Sequence, residues 1–88
     1  MTFDYLKEAA SRDPVGRLLA ALHKLGSETR MSVAAKEVEL SEREYLRAIA
    51  EAEWGGLLKR EERGREVYLM LTPPGQARAE AITRPLRS

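Results

Sequence analysis

The 88-residue sequence predicts a single domain that is mainly α-helical and carries one small β-hairpin. Three observations predict it. Apolar residues recur at helical spacing from Val15 to Leu25 and again from Tyr45 to Ala52. The second stretch ends at Gly55-Gly56, and beyond it two strand-like runs flank a turn at Arg63-Gly64. A core this small needs close helix packing or a second subunit to cover its apolar surface, so a homodimer is expected.

Thr2 can cap a short first helix whose apolar side is Tyr5, Leu6, Ala9 and Ala10 and which ends near Ser11. Asp13-Pro14 then restarts helix, because aspartate suits the cap and proline the first helical position. Val15, Leu18, Leu19, Leu22 and Leu25 form its stripe, with His23 at the margin, and Gly26 supplies the stop. Ser27-Glu28-Thr29-Arg30 reads as polar loop. Met31-Ser32-Val33 reads either as a short strand or as the entry to a helix capped by Ser32, with Ala34, Ala35 and Val38 on its face. Glu39-Leu40 turns into a longer helix at Ser41, where Glu44 three residues on completes a capping box.

On a helical wheel Tyr45, Ala48, Ile49, Ala52 and Gly56 share the buried side of this helix, opposite Arg43, Arg47, Ala50 and Trp54. Leu57 to Arg60 and Glu66 to Leu71 are the two strands, and Tyr68, like Tyr45, is expected in the core. Thr72-Pro73 caps a last helix through Ala77, Ala79, Ala81 and Ile82, followed by a tail from Pro85. The chain thus divides into N-terminal helices (1–29), a helix-turn-helix (30–56), a hairpin wing (57–72) and a C-terminal helix with tail (73–88). Helices followed by a hairpin and a closing helix, in this order, make the winged helix-turn-helix.

Local motifs point the same way. Ala34 to Ser41, AAKEVELS, resembles the LAxxLGLS entry to the helix-turn-helix of many bacterial regulators. Gly56 to Arg60, GLLKR, resembles their GLIxR entry to the wing, and Leu71 to Gly75, LTPPG, resembles the LTxxG that closes the wing in regulators of the multiple-antibiotic-resistance (MarR) type. The resemblance covers roughly 30–82. Glu39 departs from it, standing where glycine usually makes the turn, so the backbone there must be strained or altered. Ala52 stands where a leucine is usually buried, leaving space for Trp54 or the N-terminal helix. The chain is also shorter than those regulators, which carry long dimerising helices at both ends. The resemblance therefore carries the fold and not membership of the family.

It implies a DNA-binding regulator of the cytoplasm, a dimer reading two half-sites, with Ser41 to Glu53 as the helix entering the major groove. Arg43 and Arg47, one turn apart and opposite the buried face, suit bidentate contact to guanine or a clamp on phosphates, and Ser41 with the helix N-terminus offers N–H donors. Lys59, Arg60, Arg63 and Arg65 of the wing suit the backbone or minor groove of double-stranded DNA, where contacts position without reading sequence.

Net charge is only +1, and its distribution matters more. Residues 1–29 carry four basic and four acidic side chains, 30–56 four basic and six acidic (−2), and 57–88 seven basic and four acidic (+3). Glu42, Glu44 and Glu51 would repel phosphate from the proposed reading face. A second reading therefore makes Leu46, Ala50 and Trp54 an apolar ridge for a protein partner, since interfaces favour aromatic anchors. Plainer roles stand beside both. Arg47 is spaced to pair with Glu51, and the wing cations alternate with Glu61, Glu62 and Glu66 as in an exposed hairpin that protects its edge. Without cysteine, and with one histidine, the sequence has no metal-ligand set and implies no cofactor. No nucleophile-base pair or phosphate-cradling glycine loop marks an enzyme. No apolar run approaches the ~20 residues of a membrane span, and the acidic start does not suit a signal peptide.

Overall fold

Asp13-Pro14 starts the first helix of the computed structural model, which describes residues 13–26 and 28–83. The short helix expected before Ser11 and the tail from Pro85 lie outside the described residues. Helix α1 (Pro14–Leu25) has proline at its first turn and ends at Gly26, whose N–H donates to the Leu22 carbonyl at 3.0 Å. Asp13 occupies the cap position, but its carboxylate makes no capping hydrogen bond.

The segment expected to be loop contains a strand, β1 (Glu28–Arg30). Thr29 is buried between exposed Glu28 and Arg30, so the alternation of a half-buried strand is present in only three residues. Arg30 then leads directly into α2 (Met31–Val38). Met31-Ser32-Val33 is thus helical, and Arg30 occupies the cap position in place of Ser32. Glu39 closes α2 with φ 53° and ψ 41°, a left-handed conformation. A non-glycine residue there keeps Cβ too close to the following carbonyl. Glu39→Gly should therefore raise unfolding stability in urea by about 0.5–1 kcal/mol, net of the extra freedom glycine has when unfolded. A loss of stability would show that the Glu39 side chain supports the turn.

Helix α3 (Glu42–Trp54) begins with the predicted capping box: the Glu44 N–H donates to Ser41 Oγ at 3.2 Å and the Ser41 N–H to Glu44 Oε1 at 3.3 Å. It leads into β2 (Leu58–Arg63) and β3 (Glu66–Leu71), followed by α4 (Pro73–Thr83). The hairpin is therefore part of a larger sheet, three-stranded and antiparallel in the order β1-β3-β2. Thr29 sits opposite Leu69, and Arg60 does so from the other side. The described residues form four helices and this sheet, a mixed α/β architecture rather than helices with an isolated hairpin.

Leu18, Leu19, Leu22, Ile49, Leu58 and Leu69 are the largest fully buried side chains, each contributing about 1.5–3 kcal/mol of burial. Tyr45 joins them, and its hydroxyl donates to the Met31 carbonyl at 2.5 Å, tying the middle of α3 to the start of α2. Burial pushes its phenol up to about 12. Tyr68 does not join the core. It is half-buried, and the alternation of β3 sets it on the opposite face from Leu69. Ala52 is fully buried in a cluster with Leu18 and Leu22 of α1, so the N-terminal helix covers it while Trp54 stays 93% exposed.

Candidate functional site

The buried side of α3 is Tyr45, Ala48, Ile49 and Ala52, as its wheel predicts, but Gly56, expected on the same side, lies beyond the end of the helix and is exposed. Packing of this side on α1 and α2 turns Arg43, Arg47, Ala50 and Trp54 outward, all of them exposed. Ser41 has its hydroxyl and its own N–H committed to the capping box, so the donors left at this helix start are the first-turn N–H groups of Glu42 and Arg43. Arg47 Nε lies 3.5 Å from Glu51 Oε1, one turn on. Both side chains are largely exposed, so this pair contributes only about 0.3–0.5 kcal/mol and a stronger anion can displace it. Among the described residues Arg43 has no acidic partner.

The four cations of the β2–β3 hairpin do not form one patch. Arg60 faces the helices and its guanidinium meets Glu53 of α3 at 2.8 Å, joining the hairpin to the end of that helix. Lys59 lies on the other sheet face, opposite Met70, and Arg63 shares that face opposite Glu66. Arg63 is held by Glu28 and Glu61 and stacks 4.7 Å above the ring of Tyr68. The paired glutamates push its guanidinium further up from its usual value, and its hydrogen bond holds Glu28 below the usual carboxylate range. Arg30 completes this layer by donating from Nε to the Tyr68 hydroxyl at 3.3 Å, which pushes the Arg30 guanidinium up as well.

Arg65 differs from these three. It stands in the turn between β2 and β3 and lines a cleft of about 450 Å³ with Met31, Glu42, Leu46 and Val67. Thus Arg43 and Arg47 share the outward face of α3, Ser41 stands at its start, Arg65 approaches the same helix from the β2–β3 turn, and Lys59 and Arg63 lie on the far sheet face. The proposed protein contacts, Leu46, Ala50 and Trp54, run along α3 beside the arginines and are all exposed.

Sequence reasoning missed the layer formed by Glu28, Arg30, Arg63 and Tyr68, since it depends on β1. The available signal was the alternation in Glu28-Thr29-Arg30, which three residues carry too weakly to separate strand from loop. The described residues hold no group of three or more acidic or histidine side chains able to bind a metal, and no helix long and apolar enough to cross a membrane. The chain matches no protein-family model, no curated protein and no solved structure.

Proposed function

We propose that the chain is a winged helix-turn-helix that binds double-stranded DNA, with α2 and α3 as the helix-turn-helix and β2–β3 as the wing. One observation carries the reading: α3 follows α2 through a tight left-handed turn, buries one side completely, and turns Arg43 and Arg47 outward from the other. A helix held this way can enter a major groove, where the arginines meet guanine edges or phosphates. Arg65 supplies a backbone contact from the wing, and Lys59 a further one if the duplex wraps past the turn. Arg60 and Arg63 are already engaged with glutamates, so they act in shaping the wing rather than in gripping phosphate.

The acidic side chains of α3 weaken the nonspecific part of this binding but do not remove its signature. Anisotropy of a fluorescent random-sequence duplex is expected to report affinity falling ~40-fold from about 50 to about 200 mM salt, the figure for three phosphate contacts. Binding indifferent to salt would rule out a phosphate-based interface.

The 93% exposure of Trp54 favours a second reading, in which the same face of α3 holds a protein. Such a contact would depend on the apolar ridge and only weakly on salt.

A further inference from the structure

Leu46, Ala50 and Trp54 follow one another at four-residue intervals, forming one diagonal row that runs from the flank of α3 beside the Arg65 cleft onto its outward face. With 1.5 Å of rise per residue, the row spans about 12 Å. Leu46 is 46% and Trp54 93% exposed, while the residue between them is an alanine. A scattered surface leucine is ordinary, but a tryptophan with nearly its whole surface in water, in line with a second large apolar chain, forms an unpartnered ridge.

We propose that this ridge is the contact between two copies of the chain, with α3 packed antiparallel on α3 about a two-fold axis at Ala50. The row is symmetric about its centre: Leu46 lies four residues before Ala50 and Trp54 four residues after it. A two-fold axis there carries each Trp54 to the Leu46 end of the other helix, the self-complementarity that an isologous interface needs. Ala50 lets the two backbones approach, and the large chains on either side fill the space beside the crossing.

Charge selects the antiparallel direction. On the outward face the cations Arg43 and Arg47 lie in the first half of α3, and Glu51 lies in the second half. The other acids of the helix are turned elsewhere: Glu42 lines the cleft beside Arg65, Glu44 closes the capping box, and Glu53 is held by Arg60. Antiparallel packing places the arginines of one copy towards Glu51 of the other, and Arg47 can exchange its loose pairing within the helix for one across the interface. Parallel packing would set like charge against like. The two helix dipoles are also opposed in the antiparallel arrangement, which favours it.

This proposal rests on the protein-contact reading of α3 and not on DNA binding. The two uses cover the same arginines, so a copy engaged in this dimer cannot also present α3 to a groove.

Trp54 is the sole tryptophan, so its fluorescence reports the interface directly. Sedimentation equilibrium of the whole chain, with emission spectra over the same concentrations, is compared for wild type, Trp54→Ser and Ala50→Arg. Wild type is expected to self-associate at about micromolar concentration, with emission shifting to the blue as it does. Both substitutions should weaken association by about tenfold or more while leaving the far-ultraviolet circular dichroism unchanged, since both side chains are exposed. A wild-type chain that stays monomeric with constant emission, or a dimer that survives both substitutions, overturns the proposal. Anisotropy of duplex DNA with Trp54→Ser separates the two readings: DNA binding without wild-type self-association removes only the dimer, and self-association without DNA binding removes only the DNA interface.

Discussion

Gly75→Ala is expected to destabilise the fold by about 3 kcal/mol or more. Gly75 lies in the first turn of α4, packed on the chain where it enters β2. A Cβ built there would stand 1.7 Å from the Leu57 carbonyl oxygen and 2.7 Å from its carbon. Both are backbone atoms, so no rotamer change relieves the clash. The same carbonyl accepts the Thr72 N–H at 3.1 Å, and Thr72 Oγ1 accepts the Gly75 N–H at 3.1 Å while donating to the Gly56 carbonyl at 2.6 Å. Moving α4 away therefore breaks the joint that ties the end of α3, the hairpin and α4 together. Against a total stability of about 5–15 kcal/mol, with a small domain near the low end, this loss removes about half or more of the stability and should lower the urea midpoint in proportion. Urea titration followed by circular dichroism measures the loss. Gly64→Asn is the control: Gly64 has φ +63°, nothing within 4 Å of its built Cβ, and asparagine tolerates that conformation, so a change within about 0.5 kcal/mol is expected. Equal effects at the two glycines would contradict the close approach at Leu57.

Ile49→Ala follows, with an expected loss of about 3–4 kcal/mol. Ile49 is fully buried at the centre of the inward side of α3, in the cluster formed with Leu18, Leu22, Tyr45, Leu58 and Leu69. Its loss opens a cavity between elements held by short caps and turns, leaving little room for collapse. Arg47→Ala, on the opposite side of the same helix with its side chain largely exposed, should change stability by no more than about 0.5 kcal/mol. The contrast tests the orientation of α3, on which every functional statement about its outer face depends. If Arg47→Ala were the more damaging change, the helix would be rotated from the orientation described.

Where the sequence pattern was strong it foretold the structure closely. The Ser41 capping box, the stop at Gly26, the buried side of α3 and the strand Glu66–Leu71 were all legible, because each is a local rule that the tertiary structure did not override. Glu39 was legible as an exception: glycine's absence from a tight turn implied a strained backbone, and the residue adopts φ 53°. β1 was not legible, because its stability comes from pairing with β3, forty residues away in sequence, and not from its own composition. The same blindness hid the destiny of the hairpin cations. Lys59, Arg60, Arg63 and Arg65 look alike along the chain, yet strand alternation and the neighbours Glu53, Glu28 and Glu61 send them to different surroundings. Trp54 shows the reverse case, since its position on the wheel placed it outward and the structure keeps it there, leaving Ala52 to be covered by α1.

The outward arginines of α3 are the centre of the functional account, and they are tested most directly by anisotropy of a fluorescent random-sequence duplex at low salt with wild type and Arg43→Ala/Arg47→Ala. Wild type is expected to bind, and the double variant to lose about tenfold or more in affinity at unchanged stability, since neither arginine packs in the core. Absence of wild-type binding even at low salt, or equal binding by the double variant, would contradict the assignment of α3 as the helix that meets DNA.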